Sequence, residues 1–313
     1  MFLPGQTVLV SVSGGPDSVC LLESLLRLRR LFKIKLEVFH FDHRLRHDSA
    51  RDASYVKRLA ERHKLNVNLR TAKSVPAKGA SIEEWARGER RFAAAALLRD
   101  LDAQRFATAH TRDDQAETVL YRLLMGAGPA GLGGIRHHLG PYVRPLLDVD
   151  RASVEAFCRS LGLRPRRDPT NDDPRYALRN AIRLEGLPAL ERAVGREVRE
   201  PIARSAALVV ADDAELTRQM YEAWSDVYED APEGADLRAV GLLDLPGVVA
   251  SRLVAQAVFR IGHPCTRSDI RAVLDLAAGR PGRRRDLSYG STAWRDREYV
   301  HLSRSSPNDP RPN

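Results

Sequence analysis

Ser13-Gly14-Gly15-Pro16-Asp17-Ser18 stands directly after the apolar run Thr7 to Val12 and leads into Asp17 to Phe32, where leucines recur at helical spacing. This order of strand, glycine turn and helix decides the fold class. The glycines let a ligand approach the backbone closely, and the free N–H groups of a helix start face an anion, so the stretch predicts a phosphate cradle. Pro16 suits a first helical position, where its missing donor is harmless, and Ser13 and Ser18 add hydroxyl donors. The lysine of a Walker-type loop is absent, which argues against a P-loop kinase or GTPase. Asp17 is the informative residue: a carboxylate beside bound phosphates repels them unless a cation lies between, and magnesium is the natural one. The alternative is that Asp17 only caps the helix.

Lys35 to Phe41 alternates as a second strand, and Asp48 to Lys64 is periodic as a helix. Asn66 to Thr71 reads as a third strand, Ser81 to Asp102 as a long helix and Arg105 to Ala109 as a fourth strand. Strands separated by helices predict an α/β fold, a doubly wound and mainly parallel sheet with right-handed crossovers. Ligands of such sheets bind at the carboxyl ends of the strands, so residues just after Val12, Phe41 and Ala109 should converge. Gly126 to Gly140 reads as a long loop and Arg151 to Leu161 as a helix, while 162–180 is turn material rich in Pro, Asp, Asn and Arg. Gly195 to Tyr228 is helical again, up to a break at Ala231 to Ala235. Leu245 to Ile261 and Arg267 to Ala278 follow as helices, and the remainder alternates as a small sheet. The expected organisation is a catalytic domain over 1–190, a helical connector over 191–230 and a smaller α+β domain over 231–313.

The 313 residues are 43% hydrophobic and 29% charged, enough apolar material for two cores. No run approaches the ~20 apolar residues that span a bilayer, and MFLPGQ is no cleavable signal, so a cytoplasmic protein without membrane contact is expected. Cys20, Cys158 and Cys265 lie far apart with no CxxC pair and read as reduced core residues. A net charge of +9 favours a polyanionic partner. Six lysines, none beyond Lys78, stand against 44 arginines. Arginine suits bidentate phosphate contacts, but genomic base composition enriches it equally well.

The SGGxDS loop after a first strand resembles that of the N-type ATP pyrophosphatases, which cleave ATP between its α and β phosphates and attach AMP to a substrate oxygen. Further motifs resemble the tRNA(Ile)-lysidine synthetase family. They are His40-Phe41-Asp42-His43-Arg44-Leu45-Arg46, Ile82 to Arg90, Thr108 to Thr118 with its Asp113-Asp114-Gln115-Ala116-Glu117, Gly126 to Leu132, Arg144-Pro145-Leu146, and Asp168-Pro169-Thr170-Asn171 with Arg179, Asn180 and Arg183. The likeness spans roughly residues 7 to 210, and the last hundred residues match only in outline. It implies an adenine nucleotide alpha hydrolase-like fold, ATP with Mg2+ and no permanently bound metal. The implied reaction adenylates the C2 oxygen of the wobble cytidine in the CAU anticodon of tRNA(Ile), after which the ε-amine of free lysine displaces AMP and leaves lysidine.

On that resemblance Ser13, Gly14, Gly15, Pro16, Asp17, Ser18, His43 and Arg46 hold ATP, Asp17 with the magnesium. Asp17, Arg90, Asp114 and Glu117 are the expected catalytic residues, and Asp114 and Glu117 also bind lysine. From the residues alone, Asp114 and Glu117 share one face at a helix start. The lysine ε-amine, with a pKa of about 10.4, arrives protonated and needs a carboxylate both to hold it and to help remove a proton. The alternative is that DDxxE only caps and charges the helix. Glu83, Arg87 and Arg90 also share a face, which a surface salt bridge of about 0.3 kcal/mol would explain; the family resemblance instead implies that Arg90 stabilises charge at the α-phosphate. The family usually has an aromatic directly after that arginine. Here Arg91 intervenes before Phe92, so different packing is expected beneath Arg90.

His40, Asp42, His43 and His47 do not complete a four-ligand zinc pattern. His110, at a strand end, reads equally as a buried hydrogen-bonded histidine. Arg166, Arg167, Arg175 and Arg179, with the run Arg283, Arg284 and Arg285, are candidate tRNA contacts. Whether two copies pair as a homodimer stays open, because an exposed apolar face reads like a core face. The rival readings are a tRNA thiolase of the same superfamily, which would need catalytic cysteines, and a non-catalytic ATP- and tRNA-binding protein.

Overall fold

The computed structural model describes residues 1–44, 49–77, 82–166, 173–174 and 178–304, without the side chain of residue 83. The chain divides into two compact units, Met1–Val209 and Val210–Asn313. The division falls inside the stretch expected to be a connector.

The first unit is built on β1 (Thr7–Ser11), α1 (Pro16–Leu28), β2 (Lys35–Asp42), α2 (Ser49–Arg62), β3 (Val67–Thr71), α3 (Ile82–Asp100) and β4 (Arg105–Ala107). It continues with α4 (Arg112–Leu124), α5 (Pro129–Leu132), β5 (His138–Leu139), β6 (Tyr142–Val143) and α6 (Arg151–Ser160). The last elements are α7 (Leu178–Ala181), a π-turn over Ile182–Gly186, α8 (Leu187–Val194) and α9 (Arg199–Glu222), which continues into the second unit. The strand order is β3-β2-β1-β4-β6-β5. All pairs are parallel except β5 with β6.

Period-two alternation sorts the side chains between two apolar layers. Val8, Val10 and Val12 of β1 and its exit, with Leu36 and Val38 of β2, pack with residues of α1, α2 and α6. Leu9, Phe39, Phe41 and Phe106 point the other way, onto Ala94, Leu97 and Leu98 of α3. Covered on both faces, β1 is a continuous apolar run with Val8, Leu9 and Val10 fully buried, as a central parallel strand requires. Truncating Leu9 to alanine there would cost ~2–5 kcal/mol.

The expected order of strands and helices up to β4 is present, with ends shifted by a few residues. Two features differ. The expected glycine-rich loop contains the one-turn helix α5, and the sheet gains β5 and β6, each only two residues long and therefore without periodicity to read. The topological switch lies between β1 and β4, since the chain leaves β1 toward β2 on one side and returns to β4 on the other.

The second unit holds α10 (Trp224–Val227), β7 (Tyr228–Ala231), β8 (Gly234–Arg238), α11 (Ala239–Asp244), α12 (Gly247–Arg260), α13 (Arg267–Ala278), β9 (Arg284–Asp286), β10 (Ser291–Arg295) and β11 (Tyr299–Arg304). Its antiparallel sheet runs β7-β8-β11-β10-β9, with one face buried under α12 and α13 through Leu237, Leu253, Val273, Leu276 and Leu302. The expected break at Ala231 to Ala235 is in fact a β-hairpin with Pro232 and Glu233 at its tip. Gly234 is required there, because a Cβ would stand 1.9 Å from the carbonyl oxygen of Leu302.

Candidate active site

The loop after β1 closes on itself around one hydroxyl. Ser18 Oγ accepts from the N–H groups of Ser13 at 3.2 Å and Gly14 at 3.1 Å, and donates to the Gly15 carbonyl at 2.9 Å. Gly14 takes φ +97°, a conformation that side chains disfavour, and a Cβ on it would meet Tyr55 at 3.4 Å and Arg166 at 3.5 Å. Gly15 caps α1 without any side-chain hydrogen bond, so the first N–H groups of the helix stay open to an anion. The Gly14 turn thus leads into the α1 start, with Pro16 at the first helical position, the arrangement in which an anion could be met by the helix N–H groups.

Asp17 faces away from that cap role. Its Oδ1 is buried and has no hydrogen-bond partner among the described residues, and burial pushes its carboxyl up to about 6, opposed by Arg151 and reinforced by Asp114. A buried carboxylate oxygen of this kind beside an open helix start suits a hard cation such as Mg2+.

At β4's exit, Thr111 caps α4 in a reciprocal box. Asp114 Oδ2 accepts from the Thr111 N–H at 2.8 Å and its hydroxyl at 2.9 Å. Capping therefore consumes one oxygen of Asp114 and leaves Oδ1 outward. Glu117, one turn on, is 2% exposed, and its Oε1 accepts no hydrogen bond from the described residues. Burial, then the neighbouring Asp114, pushes its carboxyl up to about 7, against the opposing pull of Arg151, Arg183 and Arg179.

Arg151, the first residue of α6, joins these groups, and the motifs did not single it out. Its guanidinium lies 3.2 Å from Asp114 Oδ1, 3.8 Å from Glu117 Oε1 and 3.9 Å from Asp17 Oδ2. Its backbone N–H donates to Asp113 Oδ2 at 2.8 Å, which fixes the start of α6 beside the start of α4. The one available signal was its position directly after the helix-capping Asp150, which accepts from the Ser153 N–H.

The histidines line the same strand ends. His40 Nδ1 is 2.7 Å from the Val12 carbonyl, which can only accept, so Nδ1 carries the proton and His40 ties β2 to the exit of β1. His43 stacks edge-on to Phe41 at 4.7 Å, and burial followed by the charge of Arg90 lowers it to about 4. Burial also lowers His110 to about 4, with Asp114 opposing and Arg90, Arg144 and Arg179 adding to the shift, so it is neutral near pH 7. Arg90 thus exerts its field on both imidazoles. Beside it, Arg91 lies over the Tyr142 ring at 5.8 Å and Phe92 is 69% exposed, so a cation–π contact stands where the family pattern has an aromatic.

Of the candidate tRNA contacts, two belong to this neighbourhood. The Arg166 N–H donates to the Gly14 carbonyl at 2.8 Å while its side chain pairs with Asp52 at 3.0 Å. Arg179 donates to the Thr118 hydroxyl on α4. Arg283, Arg284 and Arg285 lie exposed in the second unit, at and before its edge strand β9. Arg46, Arg167 and Arg175 lie outside the described residues, as do Asp168 to Asn171 and His47. Among the described residues no cluster of three metal-binding side chains occurs, and no helix is long and apolar enough to cross a membrane.

A family model described as a PP-loop domain matches residues 3–190. A tRNA(Ile)-lysidine synthase of Symbiobacterium thermophilum is 40% identical over 299 residues, 90% of this chain and 62% of that protein. One from Thermobifida fusca is 34% identical over 302 residues, 90% of either chain. A third, from Solibacter usitatus, is 37% identical across 96% of this chain and 68% of its own. The chain therefore spans 62% of the length of the first and 90% of the second. Among solved structures, a U34-tRNA thiolase from Methanococcus maripaludis superposes with a TM-score of 0.54 at 14% identity, covering 66% of this chain and 73% of that one. At that identity the likeness is one of fold.

Proposed function

The chain belongs to the tRNA(Ile)-lysidine synthase family, and from that membership we propose that it ligates free lysine to C2 of the wobble cytidine in the CAU anticodon of tRNA(Ile). ATP first adenylates the cytidine C2 oxygen and releases pyrophosphate. The lysine ε-nitrogen then attacks C2, and the C2 oxygen departs with AMP.

The observation that carries this reading is the convergence of the phosphate cradle with Asp17, Asp114 and Glu117 at the switch between β1 and β4. The open start of α1 and the Gly14 turn hold the departing pyrophosphate. Asp17 would hold magnesium, which supplies neutralising charge when bound with ATP. Arg90 lies where its positive field covers His43 and His110, a placement suited to charge developing at the α-phosphate. Asp114 Oδ1 and Glu117 accept the lysine ammonium. A carboxyl held at about 7 is matched to taking a proton from that ammonium before attack.

The cysteines favour nitrogen over sulfur as the nucleophile. Cys20 and Cys158 are buried, and burial raises both thiols, Cys158 to about 11, which keeps them from the thiolate form. Cys265 is likewise raised to about 11.

The test is multiple-turnover pyrophosphate release with an unmodified tRNA(Ile) transcript, with and without lysine, against a transcript whose CAU anticodon is replaced. Turnover should require lysine and the CAU triplet together. Continued turnover with tRNA but no lysine would contradict the assignment.

A further inference from the structure

Three carboxylates meet one guanidinium in this site, and the fit is incomplete. Arg151 reaches hydrogen-bond length only with Asp114 Oδ1, at 3.2 Å, and stands 3.8 Å and 3.9 Å from Glu117 Oε1 and Asp17 Oδ2. Glu117 has a side chain only 3% exposed, and among the described residues its Oε1 accepts no hydrogen bond. Burying an ionised group without hydrogen bonds is costly, so the pocket is built for a cation that satisfies it better than Arg151 does. A primary ammonium is smaller than a planar guanidinium and carries three donors that point in different directions.

Arg151 is also placed to leave. Its backbone is held by Asp113 and by the Asp150 cap of α6, so the anchor stays fixed while the long side chain can change rotamer. An ammonium entering between Asp114 and Glu117 needs the two oxygens that Arg151 faces, and two cations cannot share them without repulsion.

Resting on the lysine-ligating reading above, we propose that the Arg151 side chain is a resident occupant of the lysine ammonium position, which compensates the acid cluster in the empty enzyme and is displaced when lysine binds. Arg151 then sets the affinity for lysine by competition. It keeps three carboxylates from standing uncompensated between turnovers, at the cost of weaker lysine binding.

The experiment compares the lysine KM and kcat of the full-length protein with those of Arg151→Ala and Arg151→Met, together with calorimetric titration of lysine into each protein. Removing an occupant lifts its tax on apparent affinity, so lysine KM and Kd should fall by about tenfold. Arg151→Lys, which restores a flexible cation, should return both toward wild type. Guanidinium chloride at low millimolar concentration should compete with lysine in Arg151→Ala and leave the wild-type KM unchanged. A lysine KM that is unchanged or raised in both neutral variants would overturn the proposal, as would guanidinium that fails to compete. Arg151→Met keeps the length of the side chain and reads the same quantity should the alanine variant fold poorly. A wild type that consumes lysine alongside variants of unaltered KM removes this proposal alone. A wild type that neither binds nor consumes lysine removes the ligase reading, and this proposal with it.

Discussion

Asp114 accepts the backbone N–H of Thr111 at 2.8 Å through one carboxylate oxygen, Oδ2, and leaves the other facing Arg151. One side chain thus closes a helix cap and contributes a charge to the site. The two roles separate by substitution. Asp114→Asn keeps an oxygen for the cap, whereas Asp114→Ala removes it and should lower stability in urea by ~1 kcal/mol. Both should raise the lysine KM, and an alanine variant with full lysine affinity would leave Asp114 a cap alone.

Gly14 makes the positive-φ turn of the loop after β1. An alanine there must adopt φ +97° and bring its Cβ to 3.4 Å from Tyr55 and 3.5 Å from Arg166. Gly14→Ala should cost on the order of 1 kcal/mol or more in stability and raise the KM for ATP while sparing that for lysine. Equal effects on both substrates would indicate a general collapse of the site.

The Glu117 carboxyl, held at about 7 mainly by burial, gives stability a defined pH dependence. Its ordinary value is 4.5, so between about 4.5 and 7 the folded state binds a proton that the unfolded chain releases. The stability that the protonated form supplies is complete below 4.5 and is lost as pH rises through 7. Glu117→Gln removes this titration. Its stability relative to wild type should therefore improve from about pH 5 to pH 8, by a few kcal/mol at most. Denaturant melts of the two proteins across that range check it, and parallel curves would place Glu117 in a more solvated setting.

Arg283, Arg284 and Arg285 are exposed at the edge of the second unit's sheet. Replacing all three by glutamine should weaken tRNA binding and reduce the slope of log K against log salt by about one for each lost phosphate contact. An unchanged slope would mark them as a solvated charge run.

How far the site could be read from sequence follows from the range of each interaction. The Thr7 to Val12 run and the Gly14-Gly15 turn were legible because burial on two faces and a positive φ each leave a local signature. β5 and β6 were not, since two-residue strands have no period and exist only through their pairing with each other and with β4. Asp114 could be read as a cap or as a site acid, and the cap is present without excluding the other. Arg151 left almost no local trace. It meets Asp17, Asp114 and Glu117 only because α6 starts beside α4, a contact between residues more than thirty positions apart. The hairpin at Pro232 and Glu233 reads as a break because its turn residues are conspicuous, whereas its short strands are ordered by pairing, β7 with β8 and β8 with the distant β11.

The most direct measurement follows labelled lysine into tRNA. Wild-type protein with ATP should incorporate the label into a tRNA(Ile) transcript bearing CAU and not into one with the triplet replaced. Glu117→Gln should lower the rate by about a hundredfold or more while still binding ATP. Continued release of AMP and pyrophosphate on that tRNA with no label incorporated, or full incorporation by Glu117→Gln, would contradict a lysine site built on Asp114 and Glu117.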